Sequence, residues 1–160
     1  LQMLKGGARE VVALDSSTEA LLVAEESARR NRLKGLVPVE ANAFDWLREA
    51  ASGGERYHTI ALDPPAFAKA RGSLERAIAG YKEVNLRAMR LLAPGGWLFT
   101  ASCSHHVHRG DFFAMLAAAA ADAGRRLQLV EIRGAAADHP ELVTVPETGY
   151  LKAALLRALD

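Results

Sequence analysis

Two stretches of the sequence decide the fold: residues 60–67 read IALDPPAF, and residues 97–104 read WLFTASCS. Each is an apolar run of strand length that ends abruptly in polar residues or proline. Inner strands of an α/β sheet have this pattern, because both of their faces are buried and functional groups project from their carboxyl ends. We therefore expect two adjacent strands whose ends bring Asp63 and Cys103 to one active site.

The segments around these stretches alternate between strand and helix patterns. Predicted strands cover residues 11–15, 36–40, 57–62, 97–101, 127–133 and 150–159, and predicted helices cover residues 18–31, 43–51, 74–92 and 111–123. The last strand also fits a helical period, and strand is the preferred interpretation. The alternation predicts βαβ units and a mostly parallel sheet, and two consecutive strands near the end predict an antiparallel C-terminal edge. We expect one Rossmann-like, doubly wound α/β domain over residues 1–160.

Glycine-rich segments mark two helix ends. The sequence APGG at 93–96 is expected to end the helix before it, and residues 1–7, LQMLKGG, have the pattern of the last turn of a helix that stops at glycine. Because that first helix has no beginning here, we expect the domain to be N-terminally incomplete.

Composition limits the classes of protein to consider. Half of the 160 residues are apolar, enough for a substantial core, and 20 basic against 19 acidic residues mean that RNA contact would need local clusters of charge. A single cysteine excludes an intrachain disulfide and a cysteine-rich zinc site, and favours a reducing cytoplasm. No apolar run has the length of a membrane span, so we expect a soluble protein without membrane contact.

Polar residues follow the first two predicted strands. Asp15 ends its strand where nucleotide-binding folds place an acid that accepts hydrogen bonds from a ribose diol, and capping of the next helix is the equal alternative. After the second strand, the Asn42 amide can pair with an adenine edge and the Phe44 ring can cover its face. Core packing is the alternative for Phe44.

The sequence Asp63-Pro64-Pro65 is more specific. Neither proline donates a backbone hydrogen bond, so carbonyls here and the Asp63 carboxylate can accept the exocyclic amino group of a base. A rigid turn that leaves a strand is the structural alternative. Nearby cations are candidates for a phosphate-binding patch, although a solvated helix face explains Arg76 equally well: Lys69, Arg71, Arg76 and Lys82.

Cys103 lies between two serines where a strand ends and shortly before a helix. A lone cysteine is usually a small buried hydrophobic residue, but this position favours a nucleophile, and His105 could lie on the same side. His105, His106 and His108 lack a nearby carboxylate at ligand spacing. We therefore expect no metal site, and interpret them as loop histidines or phosphate contacts.

Six motifs together carry a resemblance to a known family. They are DPPAFAK at 63–69, GYKEVN at 80–85, PGG at 94–96, SCSHH at 102–106, DHP at 138–140 and PETGYLK at 146–152. In this order, and over nearly the whole chain, the sequence resembles class I S-adenosylmethionine-dependent methyltransferases of the RlmI type, which are bacterial 23S rRNA cytosine-5 methyltransferases.

The resemblance implies a cofactor, a partner and residue roles. S-adenosylmethionine would be the methyl donor and RNA, specifically 23S rRNA, the partner, with a homodimer as an option for the full-length protein. The implied catalytic residues are Cys103, which would attack carbon 6 of a flipped cytosine, and Asp63, which would orient the ring. Implied cofactor-binding residues are Asp15, Ser16, Asn42, Ala43, Phe44 and Asp63, and implied substrate-binding residues are Pro64, Pro65, Phe67, Lys69, Lys82, Ser102 and Ser104.

Departures from the family pattern leave other hypotheses open. The RNA-binding domain, the first strand and its glycine-rich loop are absent from these 160 residues, so we expect a class I methyltransferase sheet lacking its first strand, with two inner edges exposed. Methylation at a base amino group, and a non-catalytic RNA- or nucleotide-binding module, remain alternatives. A plain dehydrogenase is disfavoured, because the glycine pairs at 53–54 and 95–96 lack the phosphate-binding spacing.

Overall fold

The computed structural model describes residues 1–67 and 74–160. Its helices are α1 (Gln2–Lys5), α2 (Thr18–Arg30), α3 (Ala43–Ser52), α4 (Leu74–Arg90) and α5 (Arg109–Ala123). Its strands are β1 (Val11–Asp15), β2 (Leu36–Glu40), β3 (Tyr57–Leu62), β4 (Leu92–Ser102), β5 (Leu127–Arg133) and β6 (Lys152–Ala158). The chain divides into two compact units, Leu1–Trp46 and Leu47–Asp160.

The first unit is built on a parallel pair of strands. β1 and β2 pair from Val11 with Leu36 to Asp15 with Glu40, so both carboxyl ends lie at the same edge. Ser17 caps α2, because its hydroxyl accepts a hydrogen bond from Ala20 N at 3.2 Å.

The second unit contains a four-stranded sheet in the order β3-β4-β6-β5. β3 and β4 are parallel, and β6 is antiparallel to both β4 and β5. The predicted α/β architecture with parallel pairing and an antiparallel edge is confirmed, with β6 inserted between β4 and β5. The helical alternative for the last segment is wrong, since Lys152–Ala158 is a strand with two partners.

β4 begins five residues before the predicted strand. Helix α4 ends at Arg90, and the segment at 93–96 lies inside β4, where the pairing with β3 shifts from Tyr57 opposite Leu92 to Thr59 opposite Trp97. Gly96 permits this irregular stretch, because a Cβ there would lie 2.8 Å from the carbonyl oxygen of Ala93. Strand pairing with β3, rather than the local glycine signal, determines where the helix ends.

Helices α4 and α5 pack on this sheet and against each other. The core joins large side chains of α4, α5, β4 and β6, among them Tyr81, Met89, Leu98, Phe112 and Leu156. Burial of these apolar groups provides the main stabilisation of the unit, at about 25 cal/mol per Å². It also holds α4 over the strand ends, where its Tyr81 contacts the candidate site.

Each unit leaves a strand with one partner. Within the described residues, β1 pairs only with β2 and β3 only with β4, so both strands have an edge without a neighbour. None of the helices in the described part of the chain has the length and apolar character needed to cross a membrane.

Candidate functional site

The ends of β3 and β4 are neighbours. The parallel register places Leu62 beside Thr100, so Asp63 and Cys103 directly follow two adjacent strands at one edge of the sheet, as the sequence predicted. Asp63 is exposed and Cys103 is half-buried. The cysteine is therefore not sealed inside the core, and convergence of the two side chains over one pocket stays a prediction.

Tyr81 of α4 connects the two strand ends. Its hydroxyl lies 3.3 Å from Pro65 O and 2.9 Å from Ser104 Oγ, and its side chain is fully buried. Because a tyrosine hydroxyl has one proton to donate, donation to Pro65 O makes Ser104 the donor to Tyr81. The Phe67 ring packs 4.7 Å from the Tyr81 ring, measured between centroids. One phenol thus holds the Asp63 segment and the Cys103 segment in a common arrangement.

The side chains of the two serines that flank Cys103 form hydrogen bonds within the protein. Ser102 and Ser104 are both fully buried, and Ser104 N donates to Ser102 Oγ at 3.4 Å. Together with the Tyr81 contact, these bonds shape the backbone around Cys103. Their predicted contact with a substrate stays a prediction.

Lys152 brings a buried cation to the same place. It lies opposite Ser102 in the β4–β6 pair, only 7% of it is exposed, and its Nζ donates to Ser104 O and Tyr150 O at 2.7 Å each. Burial lowers the pKa of Lys152, and negative charge on Cys103 acts in the opposite direction and raises it. Among the described residues, no carboxylate lies within 4.0 Å of this ammonium group.

The sequence assigned no role to Lys152 or Tyr81, although Tyr81 lies in the GYKEVN motif and Lys152 in the PETGYLK motif. The available signal for Lys152 was a lysine at the start of the apolar strand KAALLRA. For Tyr81 it was a tyrosine at helical spacing from Ala77 and Ala88, which are also buried. Neither spacing reveals which backbone groups the side chain reaches.

A cavity of about 550 Å³ adjoins these residues. It is lined by the loop after β4, the start of α5, the end of β5 and the segment before β6. Its charged and aromatic lining residues include His105, His106, His108, Arg109, Arg133, Glu141, Glu147, Tyr150 and Lys152. The rings of His105 and Tyr150 lie 5.0 Å apart, and no group of three or more potential metal ligands occurs in residues 1–67 and 74–160.

Of the four cations predicted to bind phosphate, Arg76 and Lys82 lie within the described residues. Lys82 Nζ lies 2.6 Å from Asp122 Oδ2, an ion pair that joins α4 to α5. A phosphate contact for Lys82 stays a prediction, and Arg76 is exposed as a solvated helix face would be. Lys69 and Arg71 lie outside the described residues.

The carboxyl edge of the first unit holds the predicted adenosine-binding residues. Asp15 Oδ1 accepts a hydrogen bond from Ser17 N, and Asn42 Oδ1 accepts one from Phe44 N, each at 2.9 Å. Both side chains therefore shape turns, and the residue that caps α2 is Ser17 and not Asp15. Asp15 Oδ2 and Asn42 Nδ2 make no hydrogen bond within the described residues, so a further acceptor and donor lie at this edge. Ser16 is exposed, and Ala43 and Phe44 are half-buried.

Comparison with known proteins gives sequence relatives and fold relatives. No family model matches the chain. The protein named "Ribosomal RNA large subunit methyltransferase I" is 43% identical in Aeromonas hydrophila over 157 residues, which are 97% of this chain and 40% of that protein. In Vibrio cholerae it is 42% identical over 156 residues, which are 95% of this chain and 39% of that protein. The chain therefore spans about 40% of the length of these curated relatives.

Two solved structures are similar at the level of the fold. SMU.776, a methyltransferase candidate complexed with SAH, has a TM-score of 0.78 and 17% identity over 95% of this chain and 40% of its own. NSun6 from Pyrococcus horikoshii with SFG has a TM-score of 0.66 and 20% identity over 99% of this chain and 44% of its own. The recognition made from the motifs is confirmed: the chain has the fold of S-adenosylmethionine-dependent methyltransferases and is similar in sequence to proteins named Ribosomal RNA large subunit methyltransferase I.

Proposed function

We propose that the protein transfers a methyl group from S-adenosylmethionine to carbon 5 of a cytosine in 23S rRNA. The observation that carries this proposal is the 43% identity, over 97% of the chain, to a protein named as a large-subunit rRNA methyltransferase. The exposure of Asp63 and the half-burial of Cys103 after neighbouring strands support it further. Action on ribosomal RNA implies a cytoplasmic location.

The first unit would bind the adenosine part of the methyl donor. Asp15 Oδ2 would accept hydrogen bonds from the ribose diol, with Ser16 beside it, while Asn42 Nδ2 would donate to the adenine edge. Ala43 and Phe44 would cover the base. The open acceptor of Asp15 and the open donor of Asn42, at the ends of paired parallel strands, fit this group. When bound, S-adenosylmethionine supplies an electrophilic methyl group.

The second unit would activate the base. Carbon 5 of cytosine is a weak nucleophile, so Cys103 Sγ, as thiolate, adds to carbon 6 and makes carbon 5 electron-rich. Transfer of the methyl group to carbon 5 would leave S-adenosylhomocysteine. Carbon 5 would then lose its proton to a water molecule, the double bond between carbons 5 and 6 would re-form as the bond between Sγ and carbon 6 breaks, and the thiolate would be restored. Asp63 and the carbonyl of Pro64 would orient the ring by accepting its two amino protons, beside the Pro65 carbonyl that accepts the Tyr81 hydroxyl.

The cavity beside Lys152 would hold RNA next to the target base. Its volume of about 550 Å³ is that of a ligand pocket, and the His105 and Tyr150 rings offer a stacking surface for an unpaired base. Arg109 and Arg133 also line it and can contact phosphates. Extraction of the target base from its stack is required, because an enzyme that acts on a base ring must reach its atoms.

The experiment is replacement of the candidate nucleophile in the full-length protein. With S-adenosylmethionine and a 23S rRNA transcript, Cys103→Ala should lose methyl transfer by at least about a thousandfold, since the thioether step has no other nucleophile. Ser52→Ala, on the exposed end of α3, is the control and should retain the wild-type rate.

The possible outcomes separate the hypotheses. Substantial methyl transfer by Cys103→Ala would overturn the thiolate mechanism and favour methylation at a base amino group. A wild-type protein that binds S-adenosylhomocysteine in calorimetry, yet methylates no RNA, would favour the non-catalytic module. Mass spectrometry of the product nucleoside distinguishes carbon methylation from amino methylation.

A further inference from the structure

We propose that Lys152 is a positioning residue that holds Cys103 as a thiolate ready to react. The inference deepens the proposed function, on which it rests for the use of that thiolate. It assigns to the buried ammonium group of β6 the role of counter-ion for the sulfur at the end of β4. Without a ligand, the site would then contain an ion pair of lysine and cysteine.

The first support is the cost of burying this cation. Lys152 is 7% exposed, and its hydrogen bonds in the described residues go to two neutral carbonyls, those of Ser104 and Tyr150. An ammonium group has three protons, so one remains without an acceptor among these residues. A buried charge is normally paired with an opposite charge, because carbonyl dipoles compensate only part of the lost hydration. We therefore expect Lys152 to have a negatively charged partner.

The second support is the position of the ammonium group relative to Cys103. Lys152 is the register partner of Ser102, and its Nζ contacts the carbonyl oxygen of Ser104 at 2.7 Å. The register pair and the Nζ contact thus lie on either side of Cys103 along the chain. The charge of Cys103 is also the one that raises the pKa of Lys152 against the effect of burial. The position of the ammonium group and the effect of charge on its pKa therefore both indicate Cys103 as the partner of Lys152.

Other titratable groups near this pair do not replace the thiolate. The cavity that Lys152 lines also contains His105, Arg133, Glu141 and Glu147, and on the α4 side Tyr81 bonds to Ser104. Glu141 and Glu147 are exposed, and neither forms an ion pair with Lys152. Asp63, at the end of the neighbouring strand, is likewise exposed and unpaired with it. Within residues 1–67 and 74–160, Cys103 is thus the group that can supply this anion when no ligand is bound.

The test measures the reactivity of the thiol, which requires neither RNA nor a methyl donor. Cys103 is alkylated with iodoacetamide across a range of pH, and its peptide is quantified by mass spectrometry. Lys152→Gln removes the charge but retains N–H donors, and Lys152→Arg retains the charge. Lys34→Gln, an exposed lysine outside the site, is the matched control.

For Lys152→Gln, the pH midpoint of alkylation should rise by about one unit. The rate at pH 7 should fall only about threefold, since a more basic thiolate is also more nucleophilic. Lys152→Arg and Lys34→Gln should retain a wild-type midpoint. An unchanged midpoint in Lys152→Gln, or an equal shift in Lys152→Arg, would show that the charge does not act on the sulfur and would overturn the inference.

A measurement on the wild-type chain covers the case in which Lys152→Gln does not fold. Titration of thiolate absorbance at 240 nm should give a lower midpoint in the folded chain than in denaturant. An equal or higher midpoint in the folded chain would overturn the inference. If the protein transfers methyl groups but the pH midpoint of the Cys103 thiol is not shifted, only the role of Lys152 is rejected. If the midpoint is shifted but no methyl transfer occurs, only the proposed function is rejected.

Discussion

Arg125 and Lys152 are cations at opposite ends of β4, and they differ in whether a carboxylate neutralises their charge. At the start of the strand, the Arg125 guanidinium donates to the carbonyls of Met89 and Leu92, at 3.1 and 2.9 Å, and forms an ion pair with Asp160 at 3.0 Å. At the end of the strand, Lys152 donates to two carbonyls and has no carboxylate partner within the described residues.

This difference distinguishes a cation with a structural role from the one to which we assign a role in positioning Cys103. The charge of Arg125 is neutralised, so its planar group can act as a clamp that joins the end of α4, the start of β4 and Asp160. The charge of Lys152 is buried without a carboxylate partner among the described residues, and on the inference above its counter-ion is the Cys103 thiolate. Proteins retain such groups where they serve chemistry, and this one lies beside the candidate nucleophile.

The largest expected effect is on stability and tests this contrast directly. Arg125→Met should lower the free energy of unfolding by about 2–4 kcal/mol, because two carbonyls lose their donor. Lys152→Met should cost at least about 1 kcal/mol less, since Cys103 can take up a proton once the ammonium group is gone, so that no buried charge is left without a partner. Urea unfolding of both variants measures the difference. Equal losses would mean that Lys152 is as structural as Arg125.

A second prediction concerns the connection at the reactive end of the sheet. Tyr81→Phe removes the hydroxyl between Pro65 O and Ser104 Oγ and should cost about 1–2 kcal/mol of unfolding free energy. If the proposed methyl transfer takes place, its kcat in the full-length protein should fall about tenfold, because the two strand ends lose their common restraint. Steady-state kinetics and urea unfolding provide the two readouts.

Tyr57→Phe is the matched control at the other end of β3, where the hydroxyl bonds to the exposed Glu55. It should change the free energy of unfolding by less than about 0.5 kcal/mol and leave kcat unchanged. A Tyr81→Phe variant with wild-type kcat would contradict the positioning role of Tyr81.

The smallest effect is a dependence of stability on pH at the structural end. Hydrogen bonds from Arg125 and Arg126 lower the pKa of Asp160 below its ordinary value of 3.8. The stabilisation from Asp160 is therefore present above about pH 4 and lost as pH falls through the lowered pKa. Asp160→Asn should remove this part of the acid dependence in urea unfolding between about pH 2.5 and 6. Glu25→Gln, at an exposed carboxyl of α2, should retain the wild-type dependence.

Local sequence was sufficient for most element boundaries. The residues of β1, β2, β3 and β5 were predicted without error, because short apolar runs end at acids, prolines or glycines that neither extend nor pair well. The start of β4 was missed. The glycines at 95–96 are a turn signal in isolation, and only pairing with β3 makes them part of a strand.

By itself, the sequence determined the α/β class, the order of strands along the chain and the location of Asp63 and Cys103 directly after two strands. These follow from periodicity and from local backbone preferences, which act over a few residues. Only the tertiary structure decided that β6 lies between β4 and β5, that Tyr81 reaches the Ser104 hydroxyl and that Lys152 reaches the Ser104 carbonyl, both next to Cys103. Such contacts join residues 23 and 48 positions apart, and their energy depends on burial and on partners that no local pattern specifies.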